Sequence, residues 1–113
     1  MFEFSGKISV ITGGARGIGK CIAEEFSKAG ATVLVIDILD NDYFVGDLAD
    51  KEVLERFAKK VIADYGRVDF LINNAAPKSS GITNGSYEDF EYALKVGVTA
   101  PFYLAKLFSE HFA

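Results

Sequence analysis

The stretch Lys7-Ile8-Ser9-Val10-Ile11-Thr12-Gly13-Gly14-Ala15-Arg16-Gly17-Ile18-Gly19 decides how this chain is read. Its first half, KISVIT, is short, apolar and rich in β-branched residues, and reads as a strand. A Gly-rich turn ends it. Ile18, Ile22 and Phe26 then recur at four-residue spacing, as one apolar face of a helix that stops at Ala29-Gly30. Within the turn the glycines fall as Gly13-x-x-x-Gly17-x-Gly19. Gly13 is free to take the positive φ of a tight turn. Gly17 lets backbone approach a ligand with no Cβ in the way, and Gly19 lets the helix pack close on the sheet. The free N–H groups of the first helical turn, with the helix dipole, favour an anion there; the dipole alone contributes about 0.3–1 kcal/mol. An isolated match of this kind is equally an ordinary strand-to-helix turn. The order of the elements beyond the helix decides between the two.

Outward from that turn, residues 32–36 (TVLVI) form a continuous apolar run of strand length, as expected of a strand buried on both faces. A polar stretch over 37–42 leads to Tyr43-Phe44-Val45, a short third strand. Residues 49–65 carry Leu54, Phe57, Ala58, Val61, Ile62 and Tyr65 at helical spacing, with Asp50 placed as the cap. Residues 68–72 read as a fourth strand, followed by Asn73-Asn74. A Gly/Ser-rich loop over 77–86 precedes a last helix from about Tyr87. Phe90, Leu94, Val98, Phe102 and Ala105 mark its expected buried face, and Pro101 is expected to kink or break it. Strands alternating with helices make this an α/β chain with a parallel sheet. Right-handed crossovers set the strand order 3-2-1-4 with helices on both faces, the Rossmann-type arrangement. The fourth strand then lacks an outer neighbour, so the sheet is expected to be incomplete at the carboxyl end.

The composition agrees. At 113 residues the chain is one domain, and 50% hydrophobic with 25% charged residues is globular. Ten Phe without any Trp is much large apolar surface for so small a unit, and points to a face meant to be covered. The net charge is −4 and no basic run exceeds Lys59-Lys60, which argues against nucleic-acid binding. A single cysteine, Cys21, forms no internal disulfide and suits a reducing compartment. The amino terminus has no signal pattern and no apolar run approaches membrane-spanning length. The expectation is a soluble, cytoplasmic protein with no membrane or nucleic-acid partner.

Asp37, at the end of TVLVI, comes after the Gly-rich turn in the order that a dinucleotide site requires. A carboxylate there accepts hydrogen bonds from both adenosine ribose hydroxyls, each contributing about 1.5–3 kcal/mol. A 2′-phosphate would meet a like charge. NAD is therefore expected over NADP, with Arg16 as a counter-signal, since a guanidinium pairs with a 2′-phosphate. Otherwise Arg16 is a solvated loop charge.

Thr12-Gly13-x-x-x-Gly17-x-Gly19, Asp47-Leu48 and Asn73-Asn74-Ala75 together resemble the short-chain dehydrogenase/reductase family, in its shorter single-domain type. The resemblance runs from Gly6-Lys7 to Phe102. It implies a cofactor site built from Gly13, Arg16, Gly17, Ile18, Gly19, Asp37, Asp47, Leu48, Asn74 and Ala75. Asp47 and Leu48 would flank the adenine ring, and Asp69 is usual at the start of the fourth strand. Without the family, Asp47 is a turn residue, Asn73-Asn74 a turn pair and Asp69 a solvated carboxylate. Three departures stand out. The helix usual between the second and third strands is missing or reduced. Ala76 replaces the last glycine of Asn-Asn-Ala-Gly. Gly97 takes the position of an active-site asparagine that helps hold a water in the proton relay.

The family's chemistry, by resemblance, needs a serine and a Tyr-x-x-x-Lys pair, with the tyrosine as general acid/base. No Tyr-x-x-x-Lys occurs here. Tyr92 with Lys95 and Tyr103 with Lys106 are three apart and read as helix-surface residues. No catalytic residue is therefore assigned within the chain. His111 is read as solvated, Cys21 as packed, and no metal-ligand cluster is apparent. The leading expectation is the cofactor-binding half, residues 1–113, of an NAD-dependent oxidoreductase, truncated before its catalytic segment. It would act on a carbonyl or secondary alcohol and assemble as a homo-oligomer through the helix from Tyr87. Alternatives are a short non-catalytic protein that binds NAD or a partner, and a small flavodoxin-like domain.

Overall fold

Five consecutive buried residues, Ile8–Thr12, form β1 at the centre of a four-stranded parallel sheet. The computed structural model describes residues 3–77 and 81–112. Strand β2 (Thr32–Asp37) lies on one side of β1 and β4 (Phe70–Asn73) on the other, so that Val10 faces Leu34 and Leu71 across the ladders. The short β3 (Phe44–Val45) extends the sheet beyond β2, giving the order β3-β2-β1-β4. That is the expected order. The fourth strand starts two residues later than its apolar run, because pairing with β1 begins at Phe70 opposite Ser9.

Side chains alternate between the faces of a strand. On one face Ile8, Val10, Leu34 and Ile36 join a core with Val53, Leu54, Phe57, Ala58 and Val61 of α2 (Lys51–Tyr65). The ring of Phe57 is fully buried and meets Tyr43, Phe44 and Phe108 edge-on, at centroid distances of 6.2, 5.4 and 6.3 Å. The Asp50 carboxylate accepts the Glu52 N–H at 2.9 Å, so α2 is capped where the sequence placed its cap. Helix α1 (Gly17–Lys28) packs against β1 and β2, and its Phe26 stacks on Phe4 and meets Phe70 at a tilt, with centroids 5.2 and 5.4 Å away. Ile22 and Phe26 are half-buried, whereas Ile18 is 76% exposed and leaves the expected apolar face. It stands in the first turn of α1, where the helix opens on a cavity instead of the sheet. Cys21 is exposed, not packed, because it points off the face that carries Ile22 and Phe26.

Asp69 is not a solvated carboxylate. Its side chain is 7% exposed, accepts the Ile8 N–H at 2.8 Å and pairs with Arg67 Nε at 3.3 Å. The start of β4 is thereby tied to the start of β1. Beyond β4, Val68 forms a single parallel bridge with Phe112, and its N–H donates to the His111 carbonyl at 2.9 Å.

The last part of the chain departs most from expectation. Within the expected loop, a one-turn helix α3 (Gly81–Asn84) forms; residues 78–80 of that loop lie outside the described residues. Helix α4 (Tyr87–Leu94) starts at a capping box in which Ser86 and Asp89 exchange hydrogen bonds at 3.0 and 3.1 Å. A π-helical turn, Lys95–Thr99, joins it to α5 (Ala100–Phe108). Pro101 therefore neither ends nor breaks the run. It occupies the first turn of α5, where its missing N–H is tolerated, and the widened turn before it absorbs the mismatch.

The buried face of this segment is Val96, Ala100, Leu104 and Phe108, packed against α2 and the sheet. Phe90, Leu94, Val98, Phe102 and Ala105 are exposed, contrary to expectation, with Phe102 at 66%. Both stripes repeat every four residues and both are apolar. Periodicity cannot choose between them; the contact with α2 does. In the monomeric chain, Leu104→Ala is expected to lower unfolding free energy by about 2–5 kcal/mol. Val98→Ala should change it by no more than about 0.5 kcal/mol. Denaturant titration of the two variants checks this, and equal losses would contradict the assigned face.

Candidate cofactor site

The carboxyl ends of β1 and β4 meet through one hydroxyl group. Thr12 Oγ1 accepts the N–H groups of Asn74 and Ala75 at 3.1 and 3.0 Å, and Asn74 Nδ2 donates to the Gly13 carbonyl at 3.1 Å. Gly13 takes φ +69° to turn the chain, and a Cβ there would lie 2.8 Å from Ala75 Cα. A Cβ on Gly19 would overlap both the Gly13 carbonyl oxygen and Asn74 Nδ2. Only a residue without one lets α1 seat this close to the two loops. Gly17 differs: its φ is +60° and a Cβ would meet nothing. Its backbone borders open space. No side chain caps α1 at Arg16, so the N–H groups of its first turn are left for another acceptor.

That space is a cavity of about 980 Å³. Gly13, Arg16, Gly17, Ile18, Gly19, Asp37, Asp47, Leu48, Asn74 and Ala75 all line it, so the fold brings together every residue proposed from the sequence. Four elements and their connections contribute. Asp37 ends β2 and is buried; its two carboxylate oxygens accept the Ala15 and Leu39 N–H groups, each at 3.0 Å. These two bonds aim the carboxylate and leave each oxygen a further lone pair. Ile38, Leu39, Ala76, Pro77, Asp89, Tyr92 and Val96 complete the lining and were not proposed from sequence. They come from positions after the strands, from α4 and from the π-helical turn, where no spacing rule marks a wall residue.

Tyr92 is the consequential omission. Its hydroxyl donates to Asp47 Oδ1 at 3.0 Å, joining α4 to the connection between β3 and α2. Burial, and then the bond to Asp47, push its phenol pKa upward. Tyr103 likewise donates to Glu55 at 2.5 Å, from α5 to α2. Both stay at helix surfaces, as expected, with Tyr92 exposed and Tyr103 half-buried, but each hydroxyl is held by a carboxylate. Gly97 lies in the π-helical turn, exposed, with nothing near the position of a Cβ, and is not part of the cavity lining. Among the described residues no group of three or more His, Cys, Asp or Glu is placed to hold a metal ion. No described helix is long and apolar enough to cross a membrane.

A parallel sheet of order 3-2-1-4, with an uncapped helix start and a buried acid facing one crevice at its strand ends, defines a Rossmann-type α/β unit. The sequence pattern of the short chain dehydrogenase family matches residues 7–113, and the chain belongs to this family of oxidoreductases, which bind a nicotinamide cofactor. An uncharacterized oxidoreductase of Thermotoga maritima is 35% identical, over 92% of this chain and 47% of that protein. An apo SCOR enzyme from Clostridium thermocellum superposes with a TM-score of 0.87 at 36% identity, over 94% of this chain and 49% of its own. A metagenomic short-chain oxidoreductase in complex with NADP gives a TM-score of 0.88 at 26% identity, covering 96% and 56%. The chain thus spans about half the length of the relatives it matches.

The Thr12 junction is directly testable. Thr12→Val leaves the part-buried Ala75 N–H without its acceptor and the Asn74 N–H with only the Ile72 carbonyl, and is expected to lower stability by about 1–3 kcal/mol. Thr12→Ser keeps the hydroxyl and should recover most of that loss. Denaturant unfolding of both variants measures it, and an equal effect of the two would show that the methyl group, not the hydroxyl, matters.

Proposed function

We propose that residues 1–113 form the NAD-binding domain of an oxidoreductase that interconverts a carbonyl and a secondary alcohol. The observation that carries this is the sharing of one 980 Å³ cavity by the uncapped start of α1 and the Asp37 carboxylate. The free N–H groups at Arg16 to Gly19 suit a pyrophosphate. Asp37, held by Ala15 and Leu39, suits the two ribose hydroxyls of an adenosine. Asp47 and Leu48 lie further along the same cavity, where an adenine would sit, and Asn74 and Ala75 border it beside β4. When bound, the nicotinamide supplies or accepts the hydride. The chain's own part is to bind and orient the dinucleotide. The proton-transferring tyrosine and lysine are assigned to the remainder of the complete protein, since no Tyr-x-x-x-Lys is present here.

The preference for NAD rests on charge. A 2′-phosphate beside Asp37 would face a fixed carboxylate, at a cost of roughly a few kcal/mol at the dielectric of a partly exposed site. Arg16, exposed on the rim, is the one lining cation among the described residues that would oppose it. Removing the carboxylate should therefore cost NAD about ten- to a hundredfold in affinity, one strong hydrogen bond's worth or more, and cost NADP less. Calorimetric titration of Asp37→Ala with both dinucleotides makes the comparison. Equal losses would refute the NAD assignment.

The exposed stripe of Phe90, Leu94, Val98 and Phe102 is the surface we assign to a second copy of the chain, as a homo-oligomer through the helices from Tyr87. Four large apolar side chains in one row are more than a lone surface helix usually carries. Val98→Glu should shift the protein toward the monomer in analytical ultracentrifugation; an unchanged sedimentation profile at all concentrations would place the interface elsewhere.

A further inference from the structure

Asp47 stands in the connection from β3 to α2, and one of its oxygens does two jobs. Oδ1 accepts the Ala49 N–H at 2.9 Å and the Tyr92 hydroxyl at 3.0 Å. Oδ2 takes no hydrogen bond among the described residues. The Ala49 bond alone is a local turn and leaves the carboxylate plane free to swing about it. The second donor arrives from α4, 45 residues away in sequence, and fixes that plane. Asp47 and Tyr92 both border the 980 Å³ cavity, and both also border a second, apolar cavity of about 740 Å³ between α2 and the π-helical turn and α5. The Tyr92–Asp47 pair, with Leu48, forms the wall between them.

We propose that Tyr92 is a positioning residue of the dinucleotide site, holding Asp47 so that its second oxygen accepts the exocyclic amino group of an adenine. This rests on the dinucleotide reading above and adds a determinant of base recognition to it. The chemistry is selective by sign. An amino group donates to a carboxylate, whereas a base with a carbonyl at that place presents an acceptor to an acceptor. Selectivity of this kind depends on the carboxylate being held still, since a mobile one turns away from a poor partner. The raised phenol pKa keeps Tyr92 protonated, and so a donor, throughout the neutral range. Positions 47 and 92 act as a unit in this scheme, with Asp47 touching the base and Tyr92 acting only through it.

The test compares the chain with its Tyr92→Phe variant, titrated calorimetrically with NAD and with nicotinamide hypoxanthine dinucleotide, in which a carbonyl replaces the amino group. Phe keeps the ring and its packing, and the thermal midpoint of the variant reports any change in the fold. The wild-type chain is expected to prefer NAD by about tenfold. Tyr92→Phe should weaken NAD by about three- to tenfold, the value of one hydrogen bond, and leave the hypoxanthine dinucleotide within about twofold. The preference then collapses in the variant. Equal weakening of both ligands, or of neither, overturns the inference while leaving the dinucleotide site standing, as does a wild-type chain that binds both equally. A wild-type chain that binds neither overturns the dinucleotide reading itself, and this inference with it.

Discussion

One hydroxyl group, that of Thr12, holds the ends of two strands and the start of a helix in a single arrangement. It accepts the N–H groups of both Asn74 and Ala75, so the loops leaving β1 and β4 cannot separate without breaking two hydrogen bonds and stranding the Ala75 donor. Asn74 returns a bond to the Gly13 carbonyl, and Gly19 passes beneath that pair with no room for a Cβ. The spot is where the strand order reverses, with β2 on one side of β1 and β4 on the other, so successive crossovers leave in opposite directions and a crevice opens. Clamping its floor fixes the relative heights of the Gly-rich turn and the Asn-Asn-Ala loop. The rest of the cavity is built on that floor.

The cavity's two acids are aimed by fixed donors, three backbone N–H groups and one side-chain hydroxyl. Asp37 is held by the N–H groups of Ala15 and Leu39, one on the Gly-rich turn and one on its own connection. Asp47 is held by Ala49 and Tyr92. Each acid thus has its orientation set before any ligand arrives, which lowers the ordering cost of binding. The first turn of α1 has the opposite character: its donors have no side-chain cap and face the same space. Two aimed acceptors and one set of open donors, spread along 980 Å³, match a long ligand with an anionic middle and a donor-rich end. Membership of the short-chain dehydrogenase family is consistent with that match.

The other end of the molecule is built differently. The final helix run has two apolar stripes, and the fold uses only one of them. Leu104 and Phe108 complete the core against Phe57, while Phe90, Leu94, Val98 and Phe102 remain outside it. The high Phe content of the sequence is accounted for in both places: some rings form the interior, others the uncovered row. The π-helical turn between α4 and α5 lets one helix run serve both purposes while accommodating Pro101.

The sequence by itself determines whatever depends on backbone sterics and short-range order. Gly13, Gly17 and Gly19 mark a turn and a close approach that other residues forbid, and Asp37 stands at the end of an apolar run whose direction the turn has already set. From these come the Gly-rich turn and the acid of the cavity; the alternation of strands and helices sets the strand order, while Asp47, Leu48, Asn74 and Ala75 are implied by the resemblance to a family. Helix ends are legible for the same reason, as at Asp50. The choice between the two stripes of the last helices is not, because both have the same period and only contact with α2 separates them. Without the family Asp69 reads as a solvated carboxylate, and Tyr92 reads as a helix-surface residue with no partner marked, for a related reason. Their partners, Ile8 and Asp47, lie 61 and 45 residues away, and nothing in local spacing announces a hydrogen bond that exists only once the sheet has closed.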